Sequence, residues 1–267
     1  MNYERIVVEK TGNVCTVTLN RPQVLNAIDS RLARELVDVA ERVDDDDNLR
    51  AVVITGAGGR AFSVGMDLKE LVDAAEGIED RPMLLDIRSR LWTSNPWERW
   101  ASLSKPSVAA IRGLALGGGL ELALACDVRI ASTDAKFGFP EVRLGMIPAR
   151  GGTQRLPRIV GRAAALEMII TGDEIDAAEA LRVQLVSKVV PSEAVLASAI
   201  QVASKVAEHA PIAVKFAREA VNKGLDMTLD QGLRMETDLY VLLQTTEDRS
   251  EGIRSFVEKR APKFTGR

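Results

Sequence analysis

The chain is poor in the side chains that most often bind metal ions or act as nucleophiles. It contains one histidine, His209, and two cysteines, Cys15 and Cys126. A single histidine excludes multi-histidine metal sites and argues against a Ser-His-Asp triad. Two cysteines in apolar segments predict buried, inert thiols, without a disulfide framework or a metal site. If the chain is an enzyme, carboxylates and backbone dipoles must therefore do most of its chemistry.

Long hydrophobic runs and an excess of positive charge are absent as well. No apolar run is long enough to span a bilayer, and the N-terminal sequence MNYERIVVEK lacks the apolar region of a signal peptide. The net charge of −3 argues against a uniform basic face for nucleic acid or an anionic membrane. We therefore expect a cytoplasmic globular protein that associates with neither a membrane nor nucleic acid.

What the chain does contain is a glycine-rich stretch, GLALGGGLELALACD, at residues 113–127. A predicted buried strand at 107–111 precedes it, and a helix-forming segment follows its three consecutive glycines. The first N–H groups of a helix lack partners within the helix and suit an oxyanion or a phosphate. Glu121 lies among leucines and alanines, where poor hydration raises the pKa of a carboxyl. A tight connection with a solvent-facing glutamate is the alternative interpretation.

The spacing of apolar residues predicts strands early in the chain and helices late. Asp29 is a predicted helix cap, before an apolar face of Leu32, Leu36, Val39 and Val43. The predicted strands are 3–10 and 14–20, which form a hairpin, and 51–55, 107–111, 128–131 and 186–190. Further predicted helices are 67–75, 83–101, 163–170, 177–181, 193–208, 212–222, 229–243 and 248–259.

The loop GAGGRAFSVGMD at 56–67 is a weak match to a dinucleotide-binding fingerprint. That fingerprint requires a helix to open within the loop, whereas the residues after it are typical of an extended segment. The sequence therefore argues against nucleotide binding of this kind. Instead, Gly65 lets the chain turn before Met66, which exposes a second backbone N–H donor.

Three tryptophans, Trp92, Trp97 and Trp100, fall in one predicted helical segment that Pro96 should break or kink. Large aromatic residues are usually buried, so we expect them in the core or at a subunit contact. The alternative is an apolar wall over a substrate tail.

Six motifs extend over nearly the whole chain. They are NRPQVLNAI at 20–28, AFSVGMDLKE at 61–70, GLALGGGLELALACD at 113–127, FGFPEVRLGMIP at 137–148, GGTQRLPR at 151–158 and EGIRSFVEKRAPKF at 251–264. In order and spacing they resemble the enoyl-CoA hydratase/isomerase, or crotonase, superfamily. The resemblance implies an α/β fold with a spiral of ββα turns in residues 1–190. It also implies C-terminal helices in 191–267 that form trimers, which often pair into hexamers.

The resemblance implies an acyl-CoA thioester as the substrate and the hydration of a 2-enoyl-CoA to a 3-hydroxyacyl-CoA. By motif, the N–H groups of Met66 and Gly118 hold the thioester carbonyl oxygen. Glu121 acts as the base towards water and Glu141 delivers a proton to C2, without a metal ion or a redox cofactor. Two carboxyls beside one water cannot easily both be ionised, which provides an acid and a base at one pH.

The resemblance also implies residues that border the CoA moiety, the thioester or the attacking water. They are Val64, Gly65, Lys69, Arg21, Leu25, Gly117, Ala149 and Phe264. Lys69 is equally compatible with a plain exposed helix lysine. The chain departs from the family pattern at Arg150, which could meet a polar acyl tail and which we expect to point into solvent. Thr265 stands where a basic residue often follows the C-terminal aromatic residue.

Retention of both glutamates favours a hydratase, because the family's isomerases usually keep only the second one. Other chemistry on the same scaffold stays open: double-bond isomerisation, hydration of a dienoyl-CoA or thioester hydrolysis. A CoA-binding or RNA-binding protein with little activity is a further alternative, against which the acidic composition argues.

Overall fold

The computed structural model describes residues 3–70, 72 and 95–267. Its strands are β1 (Ile6–Thr11), β2 (Val14–Leu19), β3 (Ala51–Gly56), β4 (Ala61–Ser63), β5 (Ser107–Ile111), β6 (Leu114–Leu116), β7 (Val128–Ser132), β8 (Lys136–Gly138), β9 (Ile175–Asp176) and β10 (Lys188–Val190). Its α-helices are α1 (Ser30–Asp45), α2 (Pro96–Ala101), α3 (Gly118–Leu124), α4 (Gly152–Val160), α5 (Arg162–Thr171), α6 (Ala177–Arg182), α7 (Val195–Ala207), α8 (Pro211–Gly224), α9 (Leu229–Leu243) and α10 (Glu247–Val257). Short 3₁₀ turns cover Pro22–Val24, Pro140–Leu144 and Ser192–Ala194. Within the described ranges, no helix combines the length and the apolar character needed to cross a membrane.

The strands form two sheets, which the chain visits alternately. The larger sheet has the order β1-β2-β3-β5-β7-β10, and the smaller one has the order β4-β6-β8-β9. Each of β3, β5 and β7 is followed directly by a strand of the smaller sheet. Successive turns of the chain pair in parallel, both in the larger sheet and in the smaller one. The chain therefore coils through repeated ββα turns, and the expected spiral α/β fold is confirmed.

Local signals in the sequence account for the first turn of this coil. β1 and β2 form the predicted antiparallel hairpin. The Asp29 carboxylate accepts a hydrogen bond from the Leu32 N–H, with 2.7 Å between oxygen and nitrogen, and caps α1 as predicted. The apolar residues of α1 recur on one face, and all are buried: Leu32, Leu36, Val39, Ala40 and Val43. The helix period read from the sequence thus directs one face of α1 into the core.

The central strands are largely apolar because both faces of the larger sheet are covered. In β3, Val52 and Ile54 belong to the core cluster that contains Leu36 of α1. The alternate residues Ala51 and Val53 belong to a second cluster, which includes the alanine face of α7. Adjacent side chains of a strand point to opposite faces, so a strand covered on both sides is apolar at most positions and does not alternate.

The sequence pattern does not predict three strands of the smaller sheet. β6 and β8 have three residues each, and β9 has two. Strands this short contain too few residues to show an alternation of polar and apolar positions. Their positions depend on pairing with strands from other turns of the coil, which the local sequence does not specify.

Two predictions concern the region around the tryptophans. Pro96, where we expect a break or kink, is the first residue of α2 in the structure. Asn95 caps this helix, and proline fits a first helical turn. Trp97 and Trp100 are buried in the core, as expected. Trp92 and residues 71, 73–75 and 83–94 of the two helices predicted at 67–75 and 83–101 lie outside the described residues. The later helices lie close to their predicted positions.

The helices near the C-terminus expose many apolar side chains. In the described part of the chain, no residue of α8 or α9 is buried. The exposed apolar residues of this region are Val221, Leu225, Met227, Leu229, Leu233, Tyr240, Val241, Leu242, Ile253, Phe256 and Val257. The chain end folds back onto α10, where the buried Asp248 carboxylate accepts hydrogen bonds from the N–H groups of Thr265 and Gly266.

Truncation of a core residue of α1 tests this account of the fold. Leu36 is fully buried, so Leu36→Ala should lower the free energy of unfolding by about 2–5 kcal/mol through lost burial and a cavity. Urea unfolding followed by circular dichroism measures this change. Glu41→Ala on the exposed face of the same helix is the control and should stay within about 0.5 kcal/mol of wild type. Equal effects of the two substitutions would contradict the assignment of the buried face.

Candidate active site

The site is built around a close backbone contact between the loop after β4 and the turn after β6. Gly65 and Gly117 both have positive φ values, 89° and 51°, which favour glycine. A Cβ atom on Gly65 would lie 2.7 Å from the Gly118 nitrogen and 3.0 Å from the Leu116 oxygen. Because β4 and β6 are parallel neighbours, both turns emerge at the same edge of the smaller sheet. Only glycine at position 65 allows the two turns to approach this closely.

Two backbone N–H groups come together at this contact. The Met66 nitrogen lies 3.6 Å from the position that a Cβ of Gly118 would occupy. Gly118 is the first residue of α3, where an N–H has no partner within its helix. Within residues 3–70, 72 and 95–267, neither the Met66 N–H nor the Gly118 N–H donates to an acceptor. Such a pair of donors, one at a helix N-terminus, is suited to an oxygen that carries negative charge.

Glu121 is buried in the first turn of α3, and its side chain is held by a different segment. Glu121 is 2% exposed. Its Oε1 accepts hydrogen bonds from the N–H groups of Arg150 and Gly152, with nitrogens 2.7 and 2.8 Å away. Burial raises the pKa of this carboxyl, and the two N–H donors oppose the rise. Glu121 does not face solvent, so the alternative of a solvent-facing glutamate is wrong.

Glu141 lies in the 3₁₀ turn Pro140–Leu144, against the same glycines. Its Oε1 is 2.7 Å from the position that a Cβ of Gly117 would occupy. Its Oε2 is buried without a hydrogen-bond partner in the described part of the chain. Burial raises the pKa of Glu141 to about 7, and the nearby charge of Glu121 adds to the rise, while a backbone hydrogen bond opposes it. The structure therefore brings a second proton-carrying group to the two N–H donors.

Arg150 does not point into solvent, and that expectation is wrong. Its guanidinium lies over the ring of Trp97, 5.1 Å from the ring centroid. Burial lowers the pKa of this guanidinium, and the charge of Glu121 opposes the fall. An aromatic face attracts a cation, but Trp97 is more than fifty residues earlier in the chain, so the spacing around Arg150 does not reveal the contact.

Similarity along the whole chain identifies the family. The family model for enoyl-CoA hydratase/isomerase matches residues 9–267. The chain belongs to this family. A probable enoyl-CoA hydratase of Rhizobium meliloti is 45% identical over 269 residues, and one of Mycobacterium tuberculosis is 43% identical over 267 residues; each match covers 100% of both chains. The crystal structure of an enoyl-CoA hydratase from Bacillus anthracis has a TM-score of 0.91 at 41% identity, over 99% of this chain and 100% of that one.

The N-terminal motif of this enoyl-CoA hydratase/isomerase family member holds the loop that carries Met66. Arg21 is buried, and its guanidinium donates to Asp67 at 2.9 Å and lies 3.3 Å from Asp29. The Leu25 carbonyl accepts a hydrogen bond from the Val64 N–H at 3.2 Å. The structure thus places Arg21, Leu25 and Val64 together, with ion pairs and backbone bonds as their contacts.

The remaining predicted binding residues are Lys69, Ala149 and Phe264. Lys69 is exposed and lines a surface hollow that Arg21 and Asp67 also line. Ala149 is exposed in the segment that leads to Glu121's partner Arg150. Phe264 contacts another part of the chain: its ring lies 3.5 Å from the position of a Cβ on Gly252, and its carbonyl accepts a hydrogen bond from Arg50.

Three residues at this site were not predicted from the sequence. Asn26 is fully buried with a φ of 56°, and its side-chain amide donates to the carbonyls of Ala57 and Ala61. The Gly152 N–H at the start of α4 binds Glu121. The Trp97 indole N–H donates to the Gly118 carbonyl, 2.6 Å away. A signal for Asn26 exists, because asparagine tolerates left-handed backbone, but the partners of Trp97 are distant in sequence.

The pKa of Glu141 gives a prediction about stability and pH. In the folded protein this pKa is about 7, above its ordinary value of 4.5, so the folded state binds the proton more tightly. The stability that this proton contributes is complete below the ordinary pKa and is lost as pH rises through 7. Glu141→Gln, which stays neutral, should therefore gain thermal stability relative to wild type between pH 5 and pH 8.

Melting temperatures at the two pH values measure the effect. Glu41→Gln is the matched control, because this side chain is exposed on α1, and its difference from wild type should be the same at both pH values. A Glu141→Gln difference that does not change with pH would show that Glu141 titrates as an ordinary carboxyl.

Proposed function

We propose that this protein catalyses the reversible hydration of a 2-enoyl-CoA to a 3-hydroxyacyl-CoA. The observation that carries the proposal is the pair of carboxyls with raised pKa values, Glu121 and Glu141, beside the two N–H donors. Relatives that cover the whole chain are named enoyl-CoA hydratases, which supports the same reaction. In this proposal, the carboxyls and the backbone supply the chemistry, and neither a metal ion nor a redox cofactor takes part.

The thioester carbonyl is proposed to bind between the N–H groups of Met66 and Gly118. When water adds to C3 of a conjugated enoyl thioester, negative charge develops on this carbonyl oxygen. Donors already aimed at the oxygen stabilise that charge more than they stabilise the substrate, and loss of one donor typically costs about 10²–10³ in rate. The N-terminal end of α3 adds a favourable dipole at the same oxygen.

The two glutamates are proposed to take opposite protonation states. Glu121 accepts a proton from the attacking water while the new C3–O bond forms, and Glu141 gives its proton to C2. The two N–H donors on Glu121 favour its charged form, whereas Glu141, with a pKa of about 7, is still partly protonated at neutral pH. Proton exchange with solvent restores both groups. The exposed Ala149 N–H is proposed to orient the attacking water.

The CoA moiety is proposed to lie along the segments 20–28 and 61–70. Lys69 and Arg21 line the same surface hollow, which supports a contact of Lys69 with the CoA phosphates. Arg21 is bound to Asp29 and Asp67, so we assign it the role of holding the pantetheine wall in place. The Val64 carbonyl is proposed to meet the adenine amino group, and Phe264 to pack near the adenine. Leu25 and Gly117 are proposed to line the path to the thioester.

Hydration of crotonyl-CoA tests the proposed reaction. The wild type should remove the absorbance of the conjugated thioester and give a product heavier by one water. Glu121→Gln and Glu141→Gln should each lower kcat by about 10²–10⁴, because each variant loses one proton-transfer group. Glu41→Gln, far from any proton transfer, should retain wild-type rates.

Product mass separates the alternative reactions. A product of unchanged mass would establish isomerisation, which the family description also names, and free CoA would establish thioester hydrolysis. Full hydration rates in both glutamine variants would overturn the two-carboxylate mechanism. Binding of CoA without turnover of any 2-enoyl-CoA in a chain-length series would overturn the hydratase assignment.

We infer that the C-terminal region, 191–267, forms a homotrimer or a dimer of trimers. The exposed apolar side chains of α9 and α10 support this inference: Leu229 is 80% exposed and Phe256 is 85% exposed. Apolar surface left in water costs about 25 cal/mol per Å², so burial against further copies of the chain is favourable. One of the six motifs that carry the family resemblance, residues 251–264, begins in α10.

Sedimentation measures this assembly. The wild type should sediment as a trimer or hexamer, and the double variant Leu229→Glu, Phe256→Glu should give smaller species, because two charges enter the apolar surface. Lys188→Glu at the exposed edge strand β10 is the control and should leave the assembly unchanged. A monomeric wild type at micromolar concentration would contradict the inference.

A further inference from the structure

Trp97 lies directly against the residue that offers one of the two N–H donors. It is 2% exposed, and its indole N–H donates to the Gly118 carbonyl at 2.6 Å. The ring carbon Cζ2 lies 3.2 Å from the position that a Cβ of Gly118 would occupy. Trp97 therefore both binds Gly118 and limits its movement at the first residue of α3.

Arg150 contacts Trp97 through the face of the indole ring. Its guanidinium lies over the indole ring, while its main-chain N–H donates to Glu121. Its carbonyl accepts a hydrogen bond from Arg155, and Arg155 pairs with Glu98, the neighbour of Trp97, at 2.8 Å. α2 and the start of α4 are thus joined around the indole. One residue, Arg150, contacts both the tryptophan and the buried carboxylate.

The contacts have a direct consequence for the Gly118 amide. A cation over an indole ring withdraws electron density, which makes the indole N–H a stronger hydrogen-bond donor. The Gly118 carbonyl belongs to the peptide unit that follows the Gly118 N–H, so a hydrogen bond to this carbonyl restrains the N–H through the backbone of the same residue. Catalysis by oxyanion donors depends on donors that are already in place when charge develops.

We propose that Trp97, clamped by Arg150, is a positioning residue that aims the Gly118 N–H at the substrate's thioester oxygen. This inference rests on the proposed function, because it takes Gly118 as an oxyanion donor. Trp97 acts through Gly118 and not through contact with reacting atoms. It adds a residue outside the two glutamates and the two amides to the machinery of the site.

Trp100 provides a matched control in the same helix. It is also fully buried, but its indole nitrogen has no hydrogen-bond partner in the described part of the chain. Trp97→Phe and Trp100→Phe remove the same atoms from similar core positions. Only Trp97→Phe removes a hydrogen bond to Gly118, so a purely structural role predicts equal effects of the two variants.

The direct readout is the absorption band of a bound cinnamoyl-CoA that carries a donor amino group on its ring. Such a chromophore shifts to longer wavelength when its carbonyl oxygen is polarised. Trp97→Phe should lose at least half of this red shift and lower kcat about tenfold, which corresponds to about 1.4 kcal/mol, with little change in KM. Trp100→Phe should keep the red shift and kcat.

A second variant keeps the test valid if Trp97→Phe does not fold. Arg150→Met retains an unbranched stem and removes the charge over the ring, so it should reduce the red shift in the same direction. The inference is overturned if the wild type hydrates crotonyl-CoA while Trp97→Phe and Arg150→Met retain its red shift and kcat. If the wild type polarises the chromophore without hydrating any 2-enoyl-CoA, and Trp97→Phe weakens that polarisation, the proposed function fails and the inference stands.

Discussion

The backbone contact of Gly65 with Gly117 and Gly118 is the constraint on which the rest of the site depends. The coil places β4 and β6 side by side in the smaller sheet, so the turns that follow these strands meet. Contact at 2.7 Å from a Cβ position leaves no room for a side chain. Close approach of the two turns is what brings the Met66 amide to the start of α3. A fold with the same sheets and a larger residue at position 65 would not have this pair of donors.

The same glycines separate the environments of the two carboxyls. Glu121 enters from α3 and meets two N–H groups of the segment before α4, which stabilise its charge. Glu141 enters from the other side of Gly117 and has one oxygen without a partner in the described part of the chain. Burial raises the pKa of both. At Glu121 two N–H groups of another segment oppose the rise, whereas at Glu141 a backbone hydrogen bond of its own residue opposes it. Environment, and not residue type, therefore distinguishes the proposed base from the proposed acid.

Much of the fold and part of the site follow from the sequence, for different reasons. α1 and β3 are predicted because their periods and their cap at Asp29 are local properties. β6, β8 and β9 are not, because two or three residues carry no period and long-range pairing places them. The apolar neighbours of Glu121 already indicate a buried carboxyl with a raised pKa, and the family resemblance adds its role, whereas Glu141 is indicated by the resemblance alone. The orientation of Arg150 was missed because it depends on Trp97, which folding brings from a distant segment.

The two amide donors are held by different parts of the chain, and both parts maintain the geometry of the site. Asn26 holds the loop that leads to Met66. Its side-chain amide donates to the carbonyls of Ala57 and Ala61, and its own carbonyl accepts a hydrogen bond from the Ser63 hydroxyl. Trp97 fixes Gly118 from α2. The contact of Gly65 with Gly118 joins the two donors, so a disturbance of either support reaches both. Since an oxygen held by two donors needs both directions to be correct, the site depends on both supports. At Gly118 the indole hydrogen bond acts together with the contacts of this residue with Gly65 and with the indole ring.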